Sequence, residues 1–205
     1  MLPRAEIGEL FGEIDIYLFD QLARGRFDTR RRVLDVGCGD GRNLHYLLRR
    51  GYDCHGLDRS RASVDRLLAA AREVEPSAPP DRFVVGEADA LPWEDGRFDV
   101  VISSAVLHFA EDTPHFGRMV SEAWRVLAAG GLFFARLASV TGLDGFADAA
   151  GRRTRLPDGS DRYVVSDAVL LHWTERLGAR LADPIKTTNV QGARCMTTWC
   201  LFKQP

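Results

Sequence analysis

The stretch that decides the fold is an apolar run leading into three alternating glycines: Val33-Leu34-Asp35-Val36-Gly37-Cys38-Gly39-Asp40-Gly41. The pattern predicts a buried strand at Arg32–Val36, a tight turn, and a helix that starts near Gly41 and ends at Arg49-Arg50-Gly51. Glycine in such a turn permits positive φ and lets a ligand approach the backbone closely. The start of the following helix adds oriented N–H donors. A tight turn that binds nothing is the alternative interpretation of this loop taken alone.

The spacing of the glycines separates two classes of ligand. A dinucleotide-binding loop has the pattern G-x-G-x-x-G, whereas here Arg42 stands where its third glycine would be. Pyrophosphate binding is therefore disfavoured. Asp58 follows seventeen residues after Gly41, at the end of the second predicted strand. A carboxylate there can accept hydrogen bonds from both hydroxyls of a ribose, and a solvated loop aspartate is the alternative.

Strand and helix patterns alternate along the rest of the chain, which favours βαβ units on a parallel sheet. Further strands are predicted at 53–57, 83–85, 98–103 and 132–137, and a closing antiparallel hairpin at 184–190 and 194–202. The first predicted helix carries Ile7, Leu10, Phe11, Ile14, Leu18 and Leu22. Three more begin at Ser60, at Thr113-Pro114 and at Ser166, the last running to about Leu177-Gly178. Residues 138–165 are predicted to be irregular and polar.

Composition indicates one globular domain over residues 1–205 and excludes several classes of protein. Hydrophobic residues make up 45% and charged residues 27%, which argues against disorder and coiled coil. The formal net charge of −2 gives no basic field for nucleic acid or an anionic membrane. The four cysteines form no C-x-x-C pair and no zinc pattern, so we predict free thiols, a cytoplasmic protein and no metal site.

The order of the motifs resembles the class I S-adenosylmethionine-dependent methyltransferases. The resemblance begins with the glycine loop and Asp58. It continues through Gly86-Glu87-Ala88-Asp89-Ala90-Leu91-Pro92, Phe98-Asp99-Val100-Val101-Ile102-Ser103-Ser104-Ala105-Val106-Leu107-His108 and Glu122-Ala123-Trp124-Arg125-Val126-Leu127-Ala128-Ala129-Gly130-Gly131. It is strongest to the small-molecule group that includes ubiquinone and menaquinone methyltransferases. Gly41-Arg42-Asn43 and Gly51-Tyr52-Asp53 also look like tellurite-resistance methyltransferases. Ala129 departs from the proline that this group often has there.

This resemblance implies a Rossmann-like α/β sandwich: a seven-stranded, mostly parallel sheet with one antiparallel C-terminal strand and helices on both faces. It also implies S-adenosylmethionine as cofactor and S-adenosylhomocysteine as product. Asp58 would bind the ribose, Arg59 would flank the adenine, and Asp89 and the backbone of Ala90 would bind its edge. The remaining implied cofactor residues lie near the methionine part: Asp35, Gly37, Cys38, Gly39, Gly41, Arg42, Asn43, Ser103 and Ser104.

The acceptor side is less determined by the sequence. His108, just after the fourth predicted strand, is the candidate general base, with a packing histidine as the alternative. Tyr17 on the N-terminal helical cover (residues 1–30) and Arg136 at the end of the fifth strand are candidate acceptor contacts. Arg153 and Arg155 belong to the 138–165 segment, which is a candidate lid or else a solvated surface loop. As a lid, its four arginines, which also include Arg152 and Arg162, could clamp a carboxylate or phosphate.

Two absences favour a small-molecule acceptor. Ser103-Ser104-Ala105-Val106 stands where enzymes that methylate amino groups of nucleic acids resemble one another in an Asn/Asp-Pro-Pro-aromatic tetrad. The chain also lacks the cysteine that RNA cytosine methyltransferases need at this place. The leading hypothesis is methyl transfer to a small molecule. The alternatives are a catalytically silent cofactor-binding partner or scaffold, and another reaction on the same cofactor, such as aminopropyl transfer.

Overall fold

A twisted β-sheet forms the centre of the computed structural model, which describes Gly8 and residues 10–205. The described residues form ten strands: β1 (Arg32–Val36), β2 (Asp53–Asp58), β3 (Phe83–Val85), β4 (Phe98–Ser104), β5 (Leu127–Ser139), β6 (Arg152–Arg155), β7 (Asp161–Val164), β8 (Ala179–Leu181), β9 (Lys186–Val190) and β10 (Arg194–Lys203). Strands β1 to β5 run parallel in the order β3-β2-β1-β4-β5, and β10 pairs antiparallel with β5. The mostly parallel α/β sheet predicted from the sequence is confirmed.

The outer edge of this sheet is divided between two short strands. β8 pairs with residues 201–203 of β10 and β9 pairs with residues 194–198, both antiparallel. The four residues between them include Pro184, which has no backbone N–H to donate to a ladder. The sheet therefore has eight strands in seven positions, where the sequence predicts seven strands. The predicted hairpin at 184–190 and 194–202 is confirmed, although its first strand begins at Lys186.

Helices cover both faces of the sheet, because alternate strand residues point to opposite sides. Five α-helices lie wholly within the described residues 10–205: α1 (Ile16–Ala23), α2 (His45–Arg49), α3 (Arg61–Val74), α4 (Thr113–Val126) and α5 (Asp167–Arg176). On one face Val33, Val100 and Phe134 pack with apolar residues of α1, α2 and α3. On the other, Leu34 and Phe133 pack with α4 and α5. The predicted cap at Ser60 is confirmed, since its hydroxyl accepts a hydrogen bond from the Ser63 N–H at 3.2 Å.

Three predicted boundaries are wrong. The first helix does not run unbroken through Ile14: Gly12 has a φ of +59°, and Asp15 caps α1 as a new helix. Ile7 lies outside the described residues. The helix expected from Gly41 begins at His45, because turns that close on the Gly41 carbonyl come first. β5 starts at Leu127 instead of 132 and contains an irregularity opposite 98–100 of β4.

The segment 138–165 is not irregular, as the sequence predicts, but contains a β-hairpin. β6 pairs antiparallel with β7, with Arg153 opposite Tyr163. A small apolar cluster, which includes Leu143, Leu156 and Val164, fixes this hairpin against the C-terminal end of β5. β6 consists of three arginines and one threonine and has no apolar face, so the strand carries no hydrophobic periodicity that a sequence could reveal.

Among residues 8 and 10–205, no helix combines the length and the apolar character that crossing a bilayer requires.

Candidate functional site

The loop between β1 and α2 lies at the carboxyl edge of the parallel strands and holds three glycines with positive φ. At Gly37 (φ +73°) a Cβ would lie 2.2 Å from Cγ2 of Val106, and at Gly41 (φ +87°) 2.3 Å from Cδ1 of Leu67. Packing alone therefore requires these two glycines. Gly39 (φ +51°) differs, since a Cβ there would meet no heavy atom within 4 Å. The space above Gly39 is open.

Asp58 at the end of β2 organises this loop. One of its oxygens accepts a hydrogen bond from the Gly39 N–H at 2.9 Å and the other from the Ser60 N–H at 2.9 Å. The carboxylate also borders a cavity of about 290 Å³, the first cavity, lined by Gly37, Asp58, Arg59, Glu87, Val106 and Met119, among others. Each oxygen retains a lone pair that a hydroxyl of a ligand can use.

The residues predicted to surround an adenine lie on the far side of this cavity. Arg59 lines the cavity and pairs with Glu87, Nε to Oε2 at 2.9 Å. Asp89 is held by Arg118 of α4, Nε to Oδ2 at 3.1 Å. The backbone N–H of Ala90 donates to the Glu87 carbonyl at 3.2 Å. The cavity wall therefore exposes Glu87, whereas the Asp89 carboxylate is turned towards α4.

Two buried polar side chains beneath the loop have no partner among the described residues. Asp35 is 1% exposed, and neither of its carboxylate oxygens forms a hydrogen bond. Burial raises the pKa of Asp35 to about 7. Ser103 on the neighbouring strand is equally buried, and its hydroxyl is also unpartnered. Cys38 packs in the core, and burial raises the pKa of its thiol.

A buried carboxylate, Asp15, connects the remaining predicted residues. Its backbone N–H donates to Oδ1 of Asn43 at 3.1 Å, and its Oδ2 accepts from the Ser104 hydroxyl at 3.0 Å. Nη1 of Arg136 lies 3.4 Å from the same oxygen. Arg42 completes the group by donating to the Ser104 hydroxyl at 3.2 Å. The structure thus brings Arg42, Asn43, Ser104 and Arg136 together around a residue that the sequence analysis missed.

A second cavity of about 350 Å³ adjoins the first. Ala105 and Phe109, which follow β4, line both of them. Ala105 has a φ of +65°, a conformation that costs about 1–2 kcal/mol for a residue with a Cβ. Its N–H donates to the Arg136 carbonyl at 2.7 Å, which fixes this strained residue. Strained backbone of this kind is concentrated at functional sites.

His108 lines the second cavity but is not placed as a base. It is 5% exposed, and its Nδ1 accepts a hydrogen bond from the Ala138 N–H at 3.2 Å. An accepting Nδ1 means that Nε2 carries the hydrogen in the neutral ring. Burial, reinforced by the charge of Arg162, lowers the pKa of His108 to about 4. The imidazole is therefore a hydrogen-bond donor near neutral pH.

The other predicted acceptor residues are distributed unequally. Arg136 lines the second cavity and lies over the Tyr17 ring, 4.9 Å from its centroid. The Tyr17 hydroxyl is bonded to Thr188. Arg153 is turned away: it donates to the Ala110 carbonyl at 3.2 Å and pairs with Asp161 at 3.6 Å. Arg155 is exposed and does not line the cavity.

Two residues at the site, Asp15 and Arg194, were missed as candidates. Asp15 could have been recognised as the cap of a helix that follows Gly12, since an aspartate before an apolar helical pattern is a start signal. Arg194 lines the second cavity, as does Arg162, one of the four arginines of the predicted clamp. Nothing in the local pattern distinguishes them from the other 23 arginines, because their direction depends on how two hairpins pack.

Comparison with known proteins agrees with this geometry. Residues 34–135 match the model of a family described as "Methyltransferase domain". A phthiotriol/phenolphthiotriol dimycocerosates methyltransferase of Mycobacterium ulcerans is 40% identical over 103 residues, which cover 49% of this chain and 35% of that protein. The chloroplastic tocopherol O-methyltransferase of Arabidopsis thaliana is 38% identical over 104 residues, 49% of this chain and 28% of that protein. The chain spans about a third of the length of these curated relatives.

The solved structures support the same fold over the whole chain. Magnesium protoporphyrin IX methyltransferase from Synechocystis, solved with bound S-adenosylhomocysteine, superposes with a TM-score of 0.68 at 18% identity. That match covers 100% of this chain and 89% of the other. The glycine loop, Asp58 and the matched residues 34–135 thus identify the chain as a member of the class I S-adenosylmethionine-dependent methyltransferases.

Proposed function

We propose that this protein transfers a methyl group from S-adenosylmethionine to a small-molecule acceptor. The observation that carries the proposal is the meeting of two cavities at Ala105 and Phe109, the first beside Asp58 and the second beside His108 and Arg136. Methyl transfer needs a donor and an acceptor whose reacting atoms meet in line, so that proximity and alignment supply most of the acceleration. Two adjoining cavities at the carboxyl edge of a parallel sheet provide this arrangement.

The residues of the first cavity fit the cofactor. Asp58 would bind the ribose hydroxyls, and Arg59 with Glu87 would flank the adenine, with Asp89 and the backbone of Ala90 behind them. The buried Asp35 and Ser103 lie on β1 and β4, the strands that end at this edge of the sheet, and would supply a nearby carboxylate and hydroxyl for a cationic methionine part. Gly37 and Gly41 hold the loop shape, and Arg42 and Asn43 complete its rim.

When bound, S-adenosylmethionine would supply a methyl group on a positively charged sulfur: the nucleophilic atom of the acceptor bonds to the methyl carbon, and the C–S bond breaks to leave neutral S-adenosylhomocysteine. The protein's part is to hold both molecules and exclude water. His108 keeps an Nε2–H as a donor, because its Nδ1 accepts a hydrogen bond from the Ala138 N–H, and a pKa lowered to about 4 makes its ring a weak base. The nucleophilic atom of the acceptor therefore reaches the site already deprotonated.

The setting that we propose is the cytoplasm, with no nucleic acid as acceptor. All four cysteines are free and buried, which suits a reducing compartment. The net charge of −2 gives no long-range attraction for nucleic acid.

Calorimetry followed by transfer of a labelled methyl group tests the proposal. Both S-adenosylmethionine and S-adenosylhomocysteine should bind with 1:1 stoichiometry, and Asp58→Ala should bind both weakly. Methyl-labelled cofactor added to a protein-free small-molecule extract should yield a new labelled compound. Failure to bind either cofactor form would refute the proposal. Binding without transfer to any compound would instead favour a silent scaffold.

A further inference from the structure

The second cavity is bordered by an unusual concentration of arginine. Its side chains include Arg136 from β5, Arg162 from β7 and Arg194 from β10, with Asp158 as the only carboxylate among the described residues that line it. Three separate strands converge here, so the concentration does not reflect a local run of sequence. Of the predicted clamp the cavity includes Arg162, whereas Arg153 and Arg155 of the same hairpin do not line it.

Two of these arginines form no direct ion pair among the described residues, although the charges of both help to lower the pKa of the Asp158 carboxyl. Among residues 8 and 10–205, neither Arg162 nor Arg194 has a carboxylate within ion-pairing distance, whereas Arg136 is paired with Asp15. Asp158 is engaged by Ser160, whose N–H and hydroxyl both donate to its Oδ1. Counting Arg136 with Asp15 as neutral, the cavity retains two positive charges against one negative charge.

Contacts with neighbouring residues fix the hydrogen-bond donors of Arg162, Arg136 and His108 at this cavity. The Arg162 guanidinium lies over the Phe109 ring, 4.9 Å from its centroid, which places it where the two cavities meet. Nη1 of Arg162 donates to the Asp161 carbonyl at 2.9 Å, and stacking leaves the other edge N–H groups available to an oxyanion. Nε of Arg136 is buried without an acceptor, and Nε2 of His108 is a further donor. These groups offer N–H donors with no matching acceptor among them.

We propose that the acceptor is a small oxyanion, a molecule carrying a carboxylate or phosphate, held by Arg162 and Arg194 with His108 as a neutral donor. This assignment rests on the proposed function, because it treats the second cavity as the acceptor site. Arginine matches both oxyanions by paired hydrogen bonds. The same positive charge favours the ionised form of an acidic acceptor, which explains how the site operates without a base.

Titration of the protein loaded with S-adenosylhomocysteine tests the assignment with three probes of similar size: benzoate, phenyl phosphate and neutral benzamide. We expect saturable binding of at least one anion and much weaker binding of benzamide. Arg162→Gln and Arg194→Gln should each weaken anion binding by about ten-fold or more, the loss of one charge-assisted contact. The matched control is Arg155→Gln, which removes an exposed hairpin arginine outside the cavity and should change anion affinity less than about two-fold.

The affinity for S-adenosylhomocysteine distinguishes a failure of the oxyanion assignment from a failure of the proposed function. All three variants should bind S-adenosylhomocysteine as the unmodified protein does. If it binds but neither anion saturates below about 10 mM, or benzamide binds as tightly as the anions, the assignment is wrong and the methyltransferase proposal stands. Equal losses in Arg155→Gln and Arg162→Gln would also overturn it, because general surface charge would then explain the binding. Absence of S-adenosylhomocysteine binding would refute the proposed function and this assignment together.

Discussion

Replacing Gly39 with alanine should weaken cofactor binding far more than it weakens the fold. The added Cβ would meet no atom of the protein within 4 Å, so no packing clash contributes. The φ of +51° costs a residue with a Cβ about 1–2 kcal/mol, equivalent to a melting temperature lowered by roughly 2–8 °C in a domain of this size. A ligand lying against the loop would meet the new methyl group directly, and we expect S-adenosylhomocysteine affinity to fall at least ~10-fold, or ~1.4 kcal/mol.

The matched control for this variant is Gly178→Ala. Gly178, after α5, has a φ of +60° and likewise no heavy atom within 4 Å of an added Cβ. It should lower the melting temperature by a similar amount and leave the affinity unchanged. Calorimetric titration with S-adenosylhomocysteine and thermal unfolding of both variants are the measurements. Unchanged affinity in Gly39→Ala would refute the reasoning, because the glycine would then serve only the turn.

Three further predictions concern buried or partly buried ionisable groups. Asp58→Ala should lower S-adenosylhomocysteine affinity by ~10- to 100-fold, since it removes charge-assisted hydrogen bonds worth ~1.5–3 kcal/mol, and Asp58→Asn should lose less in the same titration. Asp35→Asn should raise the free energy of unfolding at pH 8. Because the pKa of Asp35 is raised to about 7, the carboxyl stabilises the fold when protonated in acid, and this contribution is lost as the pH rises towards about 7. Denaturant titrations should therefore show that the stability advantage of the variant becomes smaller below pH 7. The pH dependence of stability has the opposite sign at His108: because its pKa is lowered from 6.5 to about 4, the neutral ring stabilises the fold above pH 6.5, and this contribution is lost as the pH falls. Between pH 8 and 5 the free energy of unfolding of the unmodified protein should fall by ~2 kcal/mol more than that of His108→Gln. Equal losses would contradict the burial of a neutral ring.

The parallel sheet is predictable because its strands are buried on both faces. Val33-Leu34 and Val100-Val101-Ile102 are apolar without alternation, and glycine, aspartate or serine mark their ends. The start of the first helix is less predictable, because the helical spacing of apolar residues continues through Phe11 and Ile14, whereas Gly12 has a positive φ that interrupts the helix. The β6–β7 hairpin is harder to predict for a different reason: β6 carries only arginine and threonine, and the apolar residues of β7, Tyr163 and Val164, form too short a pattern to indicate a strand.

The residues of the site also fall into some that the sequence predicts and some that it does not. Asp58 and the glycines occupy fixed places relative to strand ends, so their neighbourhood follows from topology. The arginines do not: Arg153 and Arg162 lie on paired strands, yet one binds backbone carbonyls and the other stacks on Phe109. Asp15 was missed because its partners Asn43, Ser104 and Arg136 are separated from it by 28, 89 and 121 residues along the chain. Single-sequence patterns carry no information at that range.

The divided outer edge of the sheet bears on the behaviour of the protein at high concentration. An edge strand exposes a row of unpaired N–H and C=O groups, which is a template for another chain to extend the sheet into an aggregate. Here the row is interrupted between β8, of three residues, and β9, of five, and Pro184 and Asp183 lie in the gap. Asp183 is also occupied by an ion pair with Arg26 at 2.7 Å, which holds the gap against the body of the domain. Lys186, one of only two lysines in the chain, opens β9 and sets a charge on the same edge. The gap between β8 and β9 replaces one continuous edge strand with two short ones and thereby protects this edge from pairing with another copy of the chain.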